Sequence, residues 1–373
     1  IALLCYLLLT VSMTCYLGVQ AGNLLELWTG LEVPWWLISA LMILVVGLLG
    51  HRTIDLSAKV LGIVLVLEIL AVVAIDIGVL ASGRPLEALP FSPAEALSGA
   101  PGLGLLFAFL GFFGFEATAV FRHEAKDPLR TIPRATYIAV LLIGVLYTVS
   151  SWLVISGLGA HEAHDAAVAD PDGVIVSLAA DVVAPIMRDV TQVLVVTSMF
   201  ACMLGFHNIV TRYLFTLGRR GVLPATLGEA HPVHRSPSRA SLCVTALTAA
   251  VVLVSALAQL DPVVEIYTWY SGLGAVGVIL MMALTSIAVV RFGARRGAER
   301  AGGGVLAATA LGGLGLLLVL GISVANLPLM VGGTAAAAVC AGILLLVFVL
   351  GTLLPRRRPA TADEPEMAAA GRD

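Results

Sequence analysis

The stretch "GLLFAFLGFFGFEATAVFRHEAKDPLRTIPRAT", residues 104–136, begins as an apolar run of membrane grade, carries Gly111, Gly114 and the acid Glu116 inside it, and ends in a basic tail. Glycine weakens a helix, and a carboxylate at bilayer depth costs at least about 2.5 kcal/mol on insertion scales. Spacing alone leaves two arrangements open. In one, Phe112-Phe113-Gly114-Phe115-Glu116 unwinds around its glycines. Membranes tolerate this only where the freed backbone is buried in protein or lines a wet cavity, and broken helices of this kind hold substrates and ions in secondary transporters. In the other, the helix is continuous, its glycines let a neighbouring helix approach, and Glu116 snorkels or pairs.

The surrounding sequence identifies the solvent. Of 373 residues, 59% are hydrophobic and 12% charged, with a mean hydropathy of +1.01, far from the balance of a soluble domain. The chain reads as an all-α polytopic membrane protein. A helix needs about 20 mostly apolar residues to cross the hydrocarbon. Ten runs are candidates, at 1–22, 35–50, 60–82, 102–121, 135–158, 190–211, 239–258, 265–291, 304–325 and 330–353. The second is short, but Pro34 with Trp35 and Trp36 suits a helix start at the bilayer interface. The net charge of −3 is small and the basic residues are scattered, which argues against a nucleic-acid partner.

Lysine and arginine near helix ends are retained on the cytoplasmic side. Alternate connections hold Arg52 and Lys59; Arg122, Lys126, Arg130 and Arg134; Arg212, Arg219, Arg220, Arg235 and Arg239; Arg291, Arg295, Arg296 and Arg300; and Arg356, Arg357 and Arg358. The opposite connections hold only Arg84 and Arg188. Both ends of the chain are therefore expected in the cytoplasm and the protein in the plasma membrane. Residues 1–354 read as the transmembrane domain, and the polar, proline-containing tail 355–373 is expected to be disordered. The outward connection at 161–189 is long enough for a short helix over an entrance. The chain opens at Ile1 inside an apolar run with no initiator Met or signal-peptide pattern, so an N-terminal part is expected to be missing.

Four ionisable residues fall at membrane depth: Glu68, Asp76, Glu116 and His207. Each needs a partner, a wet cavity or a proton. Asp76 is expected at the interface, and His207 with Asn208 is expected to pack against the basic loop that follows. His161 and His164 lack a fixed ligand set and read as solvated loop residues. Cys5, Cys15, Cys202, Cys243 and Cys340 all lie in apolar runs and read as small core residues. No metal or cofactor is expected.

The segment "FFGFEATAVFRHEAKDPLRTIPRA" resembles the sixth-helix signature of amino acid permeases in the amino acid-polyamine-organocation superfamily. The matching positions are Phe112, Phe113, Gly114, Phe115 and Glu116, then Glu124, Lys126, Asp127, Pro128, Arg130, Ile132, Pro133 and Arg134. His123 departs from the pattern, where many members have a second acid. Residues 206–224 and 272–292 are similar to the end of the family's eighth helix and to its tenth. Only three apolar runs precede the signature where the family has five. The resemblance thus implies helices three to twelve of an inverted-repeat, leucine-transporter-type fold, without the first two helices and their Gly-rich share of the substrate site.

Roles follow from the same resemblance. It implies that the backbone of Gly111 to Phe115 faces the substrate amine, that Phe109, Phe112 and Phe113 line or gate the side-chain pocket, and that Glu116 holds the unwound segment or relays a proton. Glu68 falls on the equivalent of helix five, near where sodium-coupled relatives bind a cation. A carboxylate held away from water there suits a proton carrier. Thr197 and Ser198 offer hydroxyls where such relatives have a cation site, although helical hydroxyls usually bond the preceding turn. Trp269, Tyr270 and Ser271 are candidate outer-gate residues, Tyr270 among the substrate contacts.

The function expected is a secondary active transporter of amino acids or related amines, working by alternating access and coupled to protons. The alternative is a non-transporting membrane subunit or a permease remnant. An intramembrane enzyme ranks last, because no metal pair, Ser/His dyad or paired-aspartate motif sits at matching depth.

Overall fold

The computed structural model describes residues 1–52, 54–99, 101–115, 127–171, 173–231, 236–296 and 303–353. Among these, the regular elements are helices: α1 (Ala2–Thr29), α2 (Trp35–Arg52), α3 (Ile54–Ala81), α4 (Pro101–Gly111), α5 (Pro128–Leu158), α6 (Ala163–Ala169), α7 (Val174–Val182), α8 (Met187–Arg219), α9 (Ser238–Leu257), α10 (Thr268–Arg296), α11 (Gly303–Met330) and α12 (Thr334–Leu353). Long apolar runs become helices because in lipid each backbone N–H and C=O must be satisfied within its own segment. Eight helices are long and apolar enough to cross a membrane, covering Ala2–Thr29, Gly62–Ala81, Pro128–Leu158, Met187–Arg219, Ser238–Leu257, Pro262–Arg295, Gly303–Met330 and Thr334–Leu353.

Two of the ten predicted spans are not among those eight. The run at 35–50 is helical, but its apolar part, Trp35–Gly50, is shorter than a full crossing. The run at 102–121 is helical over Pro101–Gly111 and turns over residues 112–114, and residues 116–126 lie outside the described residues, as does the tail 354–373. The helix predicted from 135 starts earlier, at Pro128, where proline occupies the first turn and costs no hydrogen bond. The 161–189 connection holds two short helices, α6 and α7.

Helix α1 is the hub, packed against α2, α8, α9 and α10. Its buried hydroxyls cost little because they bond back into their own helix: Thr10 Oγ1 donates to Tyr6 O at 2.7 Å and Thr14 Oγ1 to Thr10 O at 2.6 Å. Around it lie three apolar clusters, built on Leu273, Val276 and Ile279 from α10, on Tyr6, Phe206 and Val210, and on Val11, Val46 and Met203. A fourth, with Ile75, Val79, Leu153, Leu178 and Ala179, joins α3, α5 and α7. Helix α8 packs against both α1 and α3, so it is the wall shared by the hub and this second group. Large apolar side chains such as Leu67, Leu70, Leu141, Leu318 and Leu345 are exposed, as lipid-facing surface requires.

The segment before α10 is pinned by a reciprocal cap. Asp261 Oδ1 accepts from Val263 N at 2.9 Å and Val264 N at 2.7 Å, and Glu265 Oε2 accepts from Asp261 N at 2.7 Å. A π-helical turn, Pro262–Tyr267, follows, and its Tyr267 stacks on Tyr16 of α1 with ring centroids 4.4 Å apart. Asp261→Ala should lower stability by about 1 kcal/mol while Asp261→Asn keeps most of it. Thermal midpoints of the detergent-purified variants check this, and equal midpoints for all three proteins would show that the cap contributes nothing.

Candidate functional site

Three helical stripes meet beside the broken segment. Leu65, Glu68, Ile69, Val72 and Ile75 recur at helical spacing on one face of α3. Ala139, Leu142, Ile143, Leu146 and Tyr147 do the same on α5, and Thr191, Leu194, Val195 and Ser198 on α8. Together with Ile175 of α7 and with Gly111 and Phe113, they enclose a cavity of about 560 Å³. Its walls are mostly aliphatic, and Glu68 is the one charged residue among the described lining residues.

The carboxylate has an open valence. Glu68 Oε1 is buried without a hydrogen-bond partner, and Ser198 shares the cavity wall with it. Thr191, on the same helix face two turns away, also presents a buried hydroxyl without a partner. Thr197 faces elsewhere, its Oγ1 donating to Leu194 O at 3.0 Å, the back-bond usual for a helical threonine.

The break is a feature of the backbone. Helix α4 ends at Gly111, its last turn tightens through Phe112 N→Phe109 O at 3.0 Å and Phe113 N→Leu110 O at 3.1 Å, and the chain turns over residues 112–114. Gly114 has φ +108°, a conformation L side chains rarely adopt. At Gly111 the reason is closeness, because an added Cβ would stand 2.7 Å from Tyr147 Cε2. Phe112 meets the same Tyr147 ring edge-on, centroids 6.3 Å apart at 70°.

The structure thus gathers Glu68, Gly111, Phe113 and Ser198 at one cavity and distributes the other predicted residues around it. Phe109 packs on the cluster of α10 and α11, and Phe113 on that cluster as well as the one around Tyr6. Phe115 is half-buried. Glu116 lies outside the described residues. Tyr270 packs against the cluster of Val11, Val46 and Met203 and does not line the cavity, and Ser271 Oγ bonds Tyr267 O at 2.6 Å. His207, only 2% exposed, lies 3.0 Å from Ser241 Oγ on α9, so it joins two helices rather than the basic loop. Asp76, expected at an interface, is buried within the bundle.

Tyr147 and Thr191 were missed by sequence reasoning. Their signal was present in the four-residue recurrence of Ala139, Ile143 and Tyr147, and in the seven-residue spacing from Thr191 to Ser198. A second, shallower cleft of about 710 Å³ carries none of the predicted residues. Arg84 crosses it, donating to Gly157 O at 2.5 Å and pairing with Asp181.

Similarity to known proteins bears on this site. A family model described as amino acid permease matches residues 1–354. The branched-chain amino acid permease BcaP of Lactococcus lactis is 30% identical over 199 residues, covering 52% of this chain and 42% of that protein. The low-affinity putrescine importer PlaP of Escherichia coli is 24% identical over 229 residues, 58% of this chain and 49% of its own. The vacuolar cationic amino acid transporter 4 of Arabidopsis thaliana is 27% identical over 186 residues, 50% of this chain and 28% of its own. The matched regions span less than half of each relative's length. These proteins are transporters, not enzymes.

The contact of Gly111 with Tyr147 makes a specific prediction. Gly111→Val should lower stability by about 1–3 kcal/mol through overpacking. Adding Tyr147→Ala should restore part of it. Thermal midpoints of the detergent-purified variants measure both, and a double variant no more stable than Gly111→Val would show that the tyrosine is not what the valine meets.

Proposed function

Because the chain belongs to the amino acid permease family, we propose that it forms the membrane domain of a secondary transporter for amino acids or related amines, driven by protons through alternating access. The observation that carries this reading is the cavity that joins Glu68 and Ser198 to the helix break at Gly111 and Phe113. A carrier needs a site at membrane depth where backbone polar groups leave the helical ladder and a charge can change hands. In this assignment, residues 1–354 supply the equivalents of helices three to twelve of the inverted-repeat fold, and residues 355–373 are a cytoplasmic tail. Both ends face the cytoplasm of a plasma-membrane protein, a reading supported by the arginine asymmetry of the connections.

The roles divide by chemistry. The turn from Gly111 to Phe115 presents backbone groups to the substrate's amine, with Glu116 beside it. Phe109, Phe112 and Phe113 shape the side-chain pocket, and Tyr270 stands at an outer gate. Glu68 takes and releases the coupling proton, with the Ser198 hydroxyl steadying the carboxylate and Thr197 one position away on α8. The aliphatic walls suit an apolar substrate side chain, in keeping with a relative named for branched-chain amino acids, while the buried acid suits the amine of relatives named for cationic amino acids and putrescine. All three relatives carry transport in their names, so the non-transporting alternative is not favoured.

The test is uptake by the full-length protein in liposomes under an inward proton gradient. At least one of leucine, arginine and putrescine should accumulate, and accumulation should vanish when the gradient is collapsed by an ionophore. Glu68→Gln should abolish gradient-driven accumulation and leave some substrate exchange. Wild-type accumulation in that variant would remove Glu68 from the coupling step.

A further inference from the structure

Threonines of the spanning helices commonly bond back into their own turns. Thr10, Thr14, Thr136, Thr245 and Thr285 each donate to a carbonyl one turn earlier, and Thr197 does so on α8 itself. Thr191, six residues before Thr197, does not. It is 8% exposed, and its Oγ1 is buried without a partner. Thr211 and Thr248 share that lack, but they do not line the cavity and Thr191 does. A hydroxyl withdrawn from water and left unbonded costs about 1–3 kcal/mol, which a polar group arriving with a ligand relieves.

The surroundings of this hydroxyl define what it can meet. Thr191 lies in the second turn of α8, the end of that helix that follows α7 in the chain. Ile175 of α7 lines the cavity there, with Ile75 of α3, which packs in one cluster with Leu178 and Ala179 of α7. Leu194 and Val195 continue the wall one turn further along α8. The α7 end of the cavity is therefore aliphatic apart from Thr191. Glu68, the one charged residue among the described lining residues, lies two turns back from Ile75, about 10 Å along α3. A charge placed beside Thr191 has no described carboxylate at that end to neutralise it, and an unpaired charge in an apolar setting costs far more than a neutral polar group. A neutral hydroxyl or amide is satisfied by one threonine, whose hydroxyl both donates and accepts.

We propose that Thr191 is a specificity-determining residue, whose hydroxyl bonds a neutral polar group at the far end of the substrate's side chain. The cavity then takes amino acids whose aliphatic side chain ends in a hydroxyl or an amide. A hydrocarbon side chain of the same shape fills the same space and leaves the Thr191 hydroxyl unpaired, and sites built on hydrogen bonds discriminate against analogues that lack the bonding group. This inference rests on the reading of the chain as an amino acid transporter, and it assigns to Thr191 a role separate from the proton at Glu68 and the amine at the turn from Gly111 to Phe115.

The test uses two pairs of ligands, homoserine with norvaline and glutamine with homoleucine, each pair exchanging a terminal hydroxyl or amide for hydrocarbon of similar shape. Affinities for the full-length protein in detergent follow from the rise of its thermal midpoint with ligand concentration. Thr191→Val keeps the branched shape and removes the hydroxyl. In at least one pair it should lower the affinity of the polar member relative to the hydrocarbon by about threefold to tenfold, the worth of one net hydrogen bond. Thr191→Ser should keep most of the wild-type ratio, and ligand-free midpoints show whether each variant is folded. A ratio that Thr191→Val leaves unchanged in both pairs, because both members weaken equally or neither does, overturns the assignment and leaves Thr191 a structural residue. Binding of leucine, arginine or putrescine without binding of either polar ligand also overturns it, and the transporter reading stands. If none of these seven compounds binds the folded wild type, both fall together.

Discussion

A polar group at membrane depth must be faced by another polar group, by water or by a proton, and this requirement organises the molecule. The helix break after Gly111 takes backbone groups out of the helical ladder, Glu68 brings a carboxylate, and Thr191 and Ser198 bring hydroxyls. Scattered over lipid-facing surfaces, each would be a separate cost. Here they meet at one cavity, and α8, which supplies both hydroxyls, is also the helix that ties the α1 hub to the α3, α5 and α7 group. The site is therefore built at a junction between packed units, where small relative movements change its shape most.

The hub is built on the opposite principle. Hydroxyls of α1 are folded back onto their own carbonyls, as in Thr10 and Thr14, and the aromatic contacts of Tyr6 with Phe206 and Tyr213 fill the space between α1 and α8. Those α1 hydroxyls are spent inside their own helix rather than offered to a ligand. The stiff seam and the polar cavity lie against different parts of the same long helix α8.

Helical periodicity made most of the fold legible. Eight of the ten apolar runs are, among the described residues, helices long and apolar enough to cross a membrane, and the turn after Gly111 was readable because Gly111 and Gly114 interrupt an otherwise unbroken apolar stretch. The placement of Tyr270, His207 and Asp76 was not legible. Each lies on a long helix whose apolar residues run all the way round, so the pattern does not say which side meets protein and which meets lipid. The same ambiguity hid Tyr147, whose contact with Gly111 depends on how α5 is rotated about its own axis.

The pairing of an almost wholly aliphatic wall with a single carboxylate has a thermodynamic consequence. Glu68 Oε1 is buried without a hydrogen-bond partner, so a charged carboxylate there is short of partners. On the proposed reading a proton relieves that shortage while the backbone turn from Gly111 to Phe115 holds the substrate's amine, so proton and substrate occupy separate positions of one cavity and can be carried together. Linkage is reciprocal, so the affinity the substrate gains when the acid is protonated equals that gained by the proton when the substrate is bound. The aliphatic walls add affinity for the substrate's carbon skeleton without altering that linkage, which separates selectivity from coupling within one cavity.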